Sequence, residues 1–142
     1  MSTRSNIGII NDDGTVTTTY CHWDGYLQGN GSTLLKHYTT EEKIRALLAL
    51  GSLSSLGAEL GDKHDFYAST QSDTCTAYHR DRGDDWETVK PHTHEDLDAA
   101  VEAMEEYLYV WMHDRWVVSE GGEPLKDLTE ELIASEGEEE AQ

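Results

Sequence analysis

The run Tyr20-Cys21-His22-Trp23-Asp24-Gly25-Tyr26 places an imidazole, an indole, a carboxylate and two phenols beside a single glycine. Two kinds of chemistry suit that set. His22 and Asp24 are two apart, so at the end of a strand they project to one side and could form an acid/base or metal pair. Trp23 and Tyr26, flanking Gly25, could instead stack on a planar ligand such as a base, while His22, Asp24 and the upstream Arg4 and Asn6 supply directional hydrogen bonds. The opposing reading is structural, with Trp23 filling the space between sheet and helix and Asp24-Gly25 rounding the corner after the strand.

A mononuclear zinc site needs three or four ligands in one place, whereas His37, His64, His79, His92, His94 and His113 are spread without a recognised spacing. His92 and His94 straddle Thr93 and could both ligate if that segment were extended; solvent-facing histidines near a helix start are the ordinary alternative. The phosphate-cradling glycine pattern, the serine nucleophile elbow and the dinucleotide fingerprint are all absent, which removes several large enzyme classes. The sequence therefore predicts no metal, no cofactor and no catalytic residue, and it favours binding over catalysis. Cys21 and Cys75 read as small buried thiols of a reducing compartment. Trp86, alone among acids, reads as a lid against the core.

The chain has 142 residues and a formal charge of -19, from 29 acidic and 10 basic side chains. Residues 1–60 hold 6 acids and 4 bases, 61–120 hold 15 and 5, and 121–142 hold 8 and 1. The aromatic run thus lies in the nearly neutral part. Such a balance argues against nucleic-acid phosphates or an anionic membrane as partners. The N-terminus lacks an apolar signal core and no stretch approaches a membrane span, so a cytoplasmic protein is expected.

The elements that must carry the aromatic run follow from pattern. Asn6–Ile10 and Thr15–Trp23 are β-branched and aromatic around Asp13-Gly14, a hairpin signal; the period of two would turn His22 and Trp23 to opposite faces. After a glycine-bearing loop, Gly25 to Gly31, Ser32 is expected to cap a helix to Tyr38. Thr39 and Glu42 have capping-box spacing before a helix with Ile44, Leu47 and Leu48 on one stripe. Residues 51–72 form a long connection. Thr74–Arg80 reads as a third strand closed by a turn at Asp81–Asp85.

Thr93 is the expected cap of the best-marked helix, with Leu97, Val101, Met104 and Leu108 on one face and Glu95, Asp98, Glu102, Glu105 and Glu106 on a solvated acidic face. Tyr107–Met112 and Trp116–Ser119 should pair across His113-Asp114-Arg115. A small helix within 124–134 would anchor through Leu125, Leu128, Leu132 and Ile133. The sequence predicts a single α+β domain over residues 1–135, built on about five mainly antiparallel strands with helices packed on one face. Residues 136–142 are expected to be a disordered acidic tail. Exposed edge strands would offer a route to a homodimer.

Ser2-Thr3-Arg4-Ser5-Asn6-Ile7, Asp13-Gly14-Thr15-Val16 and the run from Tyr20 to Tyr26 resemble a family of small bacteriophage and prophage proteins. Tyr38-Thr39, Leu53-Ser54-Ser55-Leu56-Gly57 and the Arg80-Asp81-Arg82-Gly83 turn extend the resemblance, which is looser beyond residue 90. It implies a viral accessory protein acting in the infected cell and brings no catalytic residues. One departure is the turn before Trp116, where a glycine is expected and His113-Asp114-Arg115 stands.

The leading expectation is a non-enzymatic binding protein, recognising a host protein or a small nucleotide-like metabolite through His22, Trp23, Asp24 and Tyr26 with Arg4 and Asn6. Inhibition of host defence is a plausible use. A DNA-mimic inhibitor, with carboxylates standing in for phosphates, is one alternative. A small hydrolase is another, in which His22 and Asp24 work with His64 or Asp65.

Overall fold

The computed structural model describes residues 3–63, 65–66 and 73–140, with the backbone alone for 136–140. In chain order the first elements are β1 (Ser5–Ile10), β2 (Val16–Cys21), a π-helical turn (Leu27–Gly31), α1 (Ser32–His37), α2 (Glu41–Leu48), β3 (Leu53–Ser55) and β4 (Thr76–Ala77). They are followed by α3 (Tyr78–Arg82), α4 (Trp86–Val89), β5 (His92–His94), α5 (Leu97–Glu102), β6 (Tyr107–Met112), β7 (Arg115–Glu120), β8 (Lys126–Asp127) and α6 (Glu130–Glu140).

β1 and β2 form the hairpin that Asp13-Gly14 announces, pairing from Ser5 with Cys21 to Ile10 with Val16, and Gly14 takes φ +88° in the turn. β1 then has β6 as a parallel neighbour, β6 pairs antiparallel with β7, and β7 with β8. On its other edge β2 meets two short strands at different heights. β5 runs antiparallel along Val16–Thr18, and β3 is parallel at Cys21, with β4 beyond it. The order is β4-β3-β2-β1-β6-β7-β8, with β5 also beside β2.

The sheet is thus eight-stranded and mixed, and the expectation of five mainly antiparallel strands is corrected. β3, β5 and β8 have only two or three residues each, too few to display an alternating pattern. The strand expected over Thr74–Arg80 keeps only Thr76–Ala77. Asp81, 7% exposed, accepts the Ala77 N–H at 2.7 Å and the Arg80 guanidinium at 3.0 Å, which turns the chain into α3.

Helices lie on both faces, correcting the one-sided arrangement. Ile7, Ile9, Cys21, Tyr109, Trp111 and Val118 meet Leu27, Leu34, Ile44 and Leu47 in the larger core. Val16, Leu108, Val110 and Val117 meet Ala100, Leu97 and Val101 of α5 in a smaller one. The cause is in β6: its run Tyr-Leu-Tyr-Val-Trp-Met is apolar on both pleat faces, so each needs a cover. α5 is shorter than its stripe suggested. It is capped by Asp96, whose side chain accepts the Ala99 N–H at 2.9 Å, while Thr93 is spent in β5 and Leu108 in β6.

β6 and β7 turn through His113 and Asp114 at φ +53° and +64°, two non-glycine residues in the left-handed region. The long connection is anchored where Tyr38 donates to the Gly57 carbonyl at 2.7 Å and Lys43 to that of Ala58 at 2.7 Å. His64 lies outside the described residues, and the disorder expected of the tail falls on residues whose side chains are outside them. Leu128 is buried and Leu132 and Ile133 pack partly against the larger core, as expected, but Leu125 precedes α6 and joins the smaller one. Among the described residues no helix is long and apolar enough to cross a membrane.

Candidate functional site

β2 stops at Cys21 because of what pairs with the next two residues. Successive strand amides point to opposite neighbours, yet the His22 N–H reaches the Leu53 carbonyl at 3.0 Å and the Trp23 N–H the Ser54 carbonyl at 3.1 Å, both on β3. Alternation is broken there. His22 and Trp23 consequently do not face opposite ways: their rings meet edge to face with centroids 4.7 Å apart. Tyr20 and His22 do share a side, as period two requires, and the Tyr20 hydroxyl lies 2.7 Å from His22 Nδ1. Burial pushes the Tyr20 hydroxyl above the usual phenol range, so it stays protonated at neutral pH and can donate.

The loop beyond is held by its interior. Asp24 adopts φ +60°, a conformation that aspartate tolerates better than most side chains, and its carbonyl accepts the Asn30 N–H at 2.7 Å. A Cβ on Gly29 would overlap the Asp24 carbonyl oxygen, and one on Gly25 would come within 2.8 Å of the Thr3 carbonyl. Asn30, 2% exposed, directs its amide to the Trp23 carbonyl at 3.1 Å, Ser5 Oγ at 3.2 Å and Cys21 Sγ at 3.4 Å. From β6, the buried Tyr109 hydroxyl donates to the Gly25 carbonyl at 2.6 Å. The expected glycine-bearing loop is therefore largely the π-helical turn that runs straight into α1, a motif enriched at functional sites.

On this frame Trp23 is 44% exposed, and among the described residues it is the one large hydrophobic side chain left so open. It does not plug the core. Asp24 is exposed beside it and accepts weakly from the Tyr26 hydroxyl at 3.4 Å. The hydrogen bonds of His22 and Asp24 go to Tyr20 and Tyr26 rather than to each other.

Arg4 and Asn6 run beside this segment, Asn6 opposite Tyr20 and Arg4 against Gly25, and their polar groups engage the chain before β6. The Arg4 N–H donates to the Glu106 carboxylate at 2.8 Å, its guanidinium lies 3.6 Å from Glu105, and Asn6 accepts the Glu105 N–H at 2.6 Å. Asn6, Thr18, Tyr20, His92, His94, Ala103 and Glu105 line a cleft of about 340 Å3 on the α5 face of the sheet. Tyr20 joins the two regions, since it lines the cleft and bonds His22. Thr18 Oγ1 is 3.1 Å from His94 Nε2, and burial, reinforced by the neighbouring His92, holds His94 below the ordinary histidine range.

The cysteines are buried thiols, as expected. Both are buried and free, and burial pushes the Cys21 thiol up to about 12 and raises Cys75. Trp86 is partly buried against His79, with ring centroids 5.1 Å apart. Sequence reasoning missed Asn30, Ser5, Tyr109 and the cleft. Only Asn30 carried a signal, standing between two glycines. No family model, curated protein or solved structure matches the chain.

Proposed function

We propose that this chain is a phage accessory protein of the infected cell that binds without catalysis, docking on a host protein through Trp23, His22, Asp24 and Tyr26. The single observation that carries the reading is the exposed indole of Trp23 on a loop pinned by Asn30 and Tyr109. An exposed tryptophan gains most when a partner desolvates it, and a loop already ordered loses little entropy on docking. The phage context rests on the resemblance of the N-terminal segment and the aromatic run.

A host protein is the partner favoured here, because the open indole of Trp23 stands beside the exposed Asp24, an apolar anchor with a polar neighbour of the kind a protein face covers. The test compares the full chain with Trp23→Ser and Asp24→Asn, each verified as folded by circular dichroism. Host proteins retained by the immobilised wild type are identified, and their affinities for all three proteins are then measured. The reading expects Trp23→Ser to weaken the retained partner at least tenfold, equivalent to about 1.4 kcal/mol. Equal affinities in both variants would remove this surface. Quenching of tryptophan fluorescence by nucleotides, lost in Trp23→Ser, would redirect the proposal to a metabolite.

A further inference from the structure

His92 and His94 can act together only on an extended segment, and β5 is extended. Two apart on a strand, both imidazoles project from one face. They stand opposite Thr18 and Val16 of β2 and line the same cleft of about 340 Å3. Thr18 Oγ1, 3.1 Å from His94 Nε2, orients that ring and leaves its Nδ1 uncommitted. The His92 side chain, exposed on this outer strand, makes no hydrogen bond among the described residues.

We propose that His92 and His94 form a chelating pair for a divalent transition ion of the zinc, nickel and copper type at the mouth of this cleft. Imidazole nitrogen suits these ions, whereas magnesium and calcium prefer oxygen ligands. A ligating histidine donates its other ring N–H to an oxygen acceptor that fixes the ring, and Thr18 Oγ1 stands where it can accept from His94 Nε2. The formal charge of -19, with Glu105 in the cleft wall, favours a cation over an anion there. Among the described residues no group of three His, Cys, Asp or Glu side chains is placed to hold a metal. The site is therefore an open one, with water or an exchangeable ligand completing the coordination, rather than a closed structural site.

Calorimetric titration of the full chain, free of any histidine tag, tests this with the metal salts alone. The proposal expects one ion per chain, with copper tightest, nickel and zinc weaker, and magnesium not bound. Affinity should fall as the pH is lowered, because protons compete with the metal for imidazole nitrogen. His92→Ala, at an exposed position, and His94→Ala should each cost at least tenfold, and Thr18→Val about tenfold. His22→Ala, His113→Ala and Trp23→Ser should bind as the wild type does, which separates this site from the docking surface. Wild-type affinity in both His92→Ala and His94→Ala, each folded by circular dichroism, overturns the proposal. So does loss of binding in His113→Ala alone.

Discussion

Replacing Asn30 by alanine should loosen the displayed loop from within. The variant keeps the backbone bond from residue 30 to the Asp24 carbonyl and loses the amide that reaches the Trp23 carbonyl, Ser5 Oγ and Cys21 Sγ. Ser5 is fully buried and can rotate its hydroxyl toward another acceptor, so its loss is partial. The Trp23 carbonyl keeps only the weak Cys21 thiol as a donor, at 3.7 Å. A buried group left unsatisfied costs roughly 1–3 kcal/mol, so two such groups, each partly relieved, put the loss at about 2 kcal/mol. That is a large part of the 5–15 kcal/mol typical of a domain. Urea unfolding followed by circular dichroism and by fluorescence should show a lower midpoint at unchanged slope, and hydrogen exchange should accelerate at the Gly25 and residue 30 amides. Trp23→Ala, which removes only an exposed ring, should stay within about 0.5 kcal/mol of the wild type. A loss under about 0.5 kcal/mol in Asn30→Ala, with exchange at Gly25 unchanged, would refute the claim that the loop is pinned by this side chain.

Cys21 and Cys75 should react with a disulfide reagent only as fast as the chain opens, since both are buried with raised thiol values; rapid reaction under native conditions would contradict their placement. For His94 the folded value lies below the unfolded one, so the unfolded chain binds the proton more readily. Its stabilising contribution is complete above about pH 6.5 and declines as the pH falls below that. Urea midpoints between pH 5 and 7.5 should fall less steeply in His94→Gln, and identical slopes would count against the burial. Asp114→Gly should stabilise by about 1 kcal/mol, because Asp114 sits at φ +64° in a two-residue hairpin turn where glycine carries no Cβ penalty. A lower thermal midpoint would show that the aspartate side chain does more than tolerate the turn.

Much of the fold was legible wherever a segment was long enough to show its period. The β1–β2 and β6–β7 hairpins and α2 follow from turn chemistry and apolar spacing, and all three stand where expected to within a residue or two. What escaped was decided by partners distant in sequence. β5 is three residues, His-Thr-His, that become a strand only because Val16–Thr18 of β2 offers an open edge. The second helical layer was hidden for a related reason: Leu108 falls by spacing on the apolar face of the helix with Leu97, Val101 and Met104, whereas it pairs beside β1 as a strand residue of β6.

The site shows the same division between local chemistry and distant support. Trp23 and Asp24 were recognisable because their types are unusual together, but whether the indole would be buried depended on β3, which takes both the His22 and Trp23 amides and so turns the ring out of the strand's alternation. No local rule contains that. A regular continuation of β2 would have sent Trp23 to the face that carries Cys21's neighbours and His22 to the other, separating the rings that now touch at 4.7 Å. Two consecutive backbone bonds to one neighbour therefore decide that Tyr20, His22 and Trp23 form a continuous strip from the cleft to the open surface. Moving β3 out of register by a residue would dissolve the strip without changing any side chain in it.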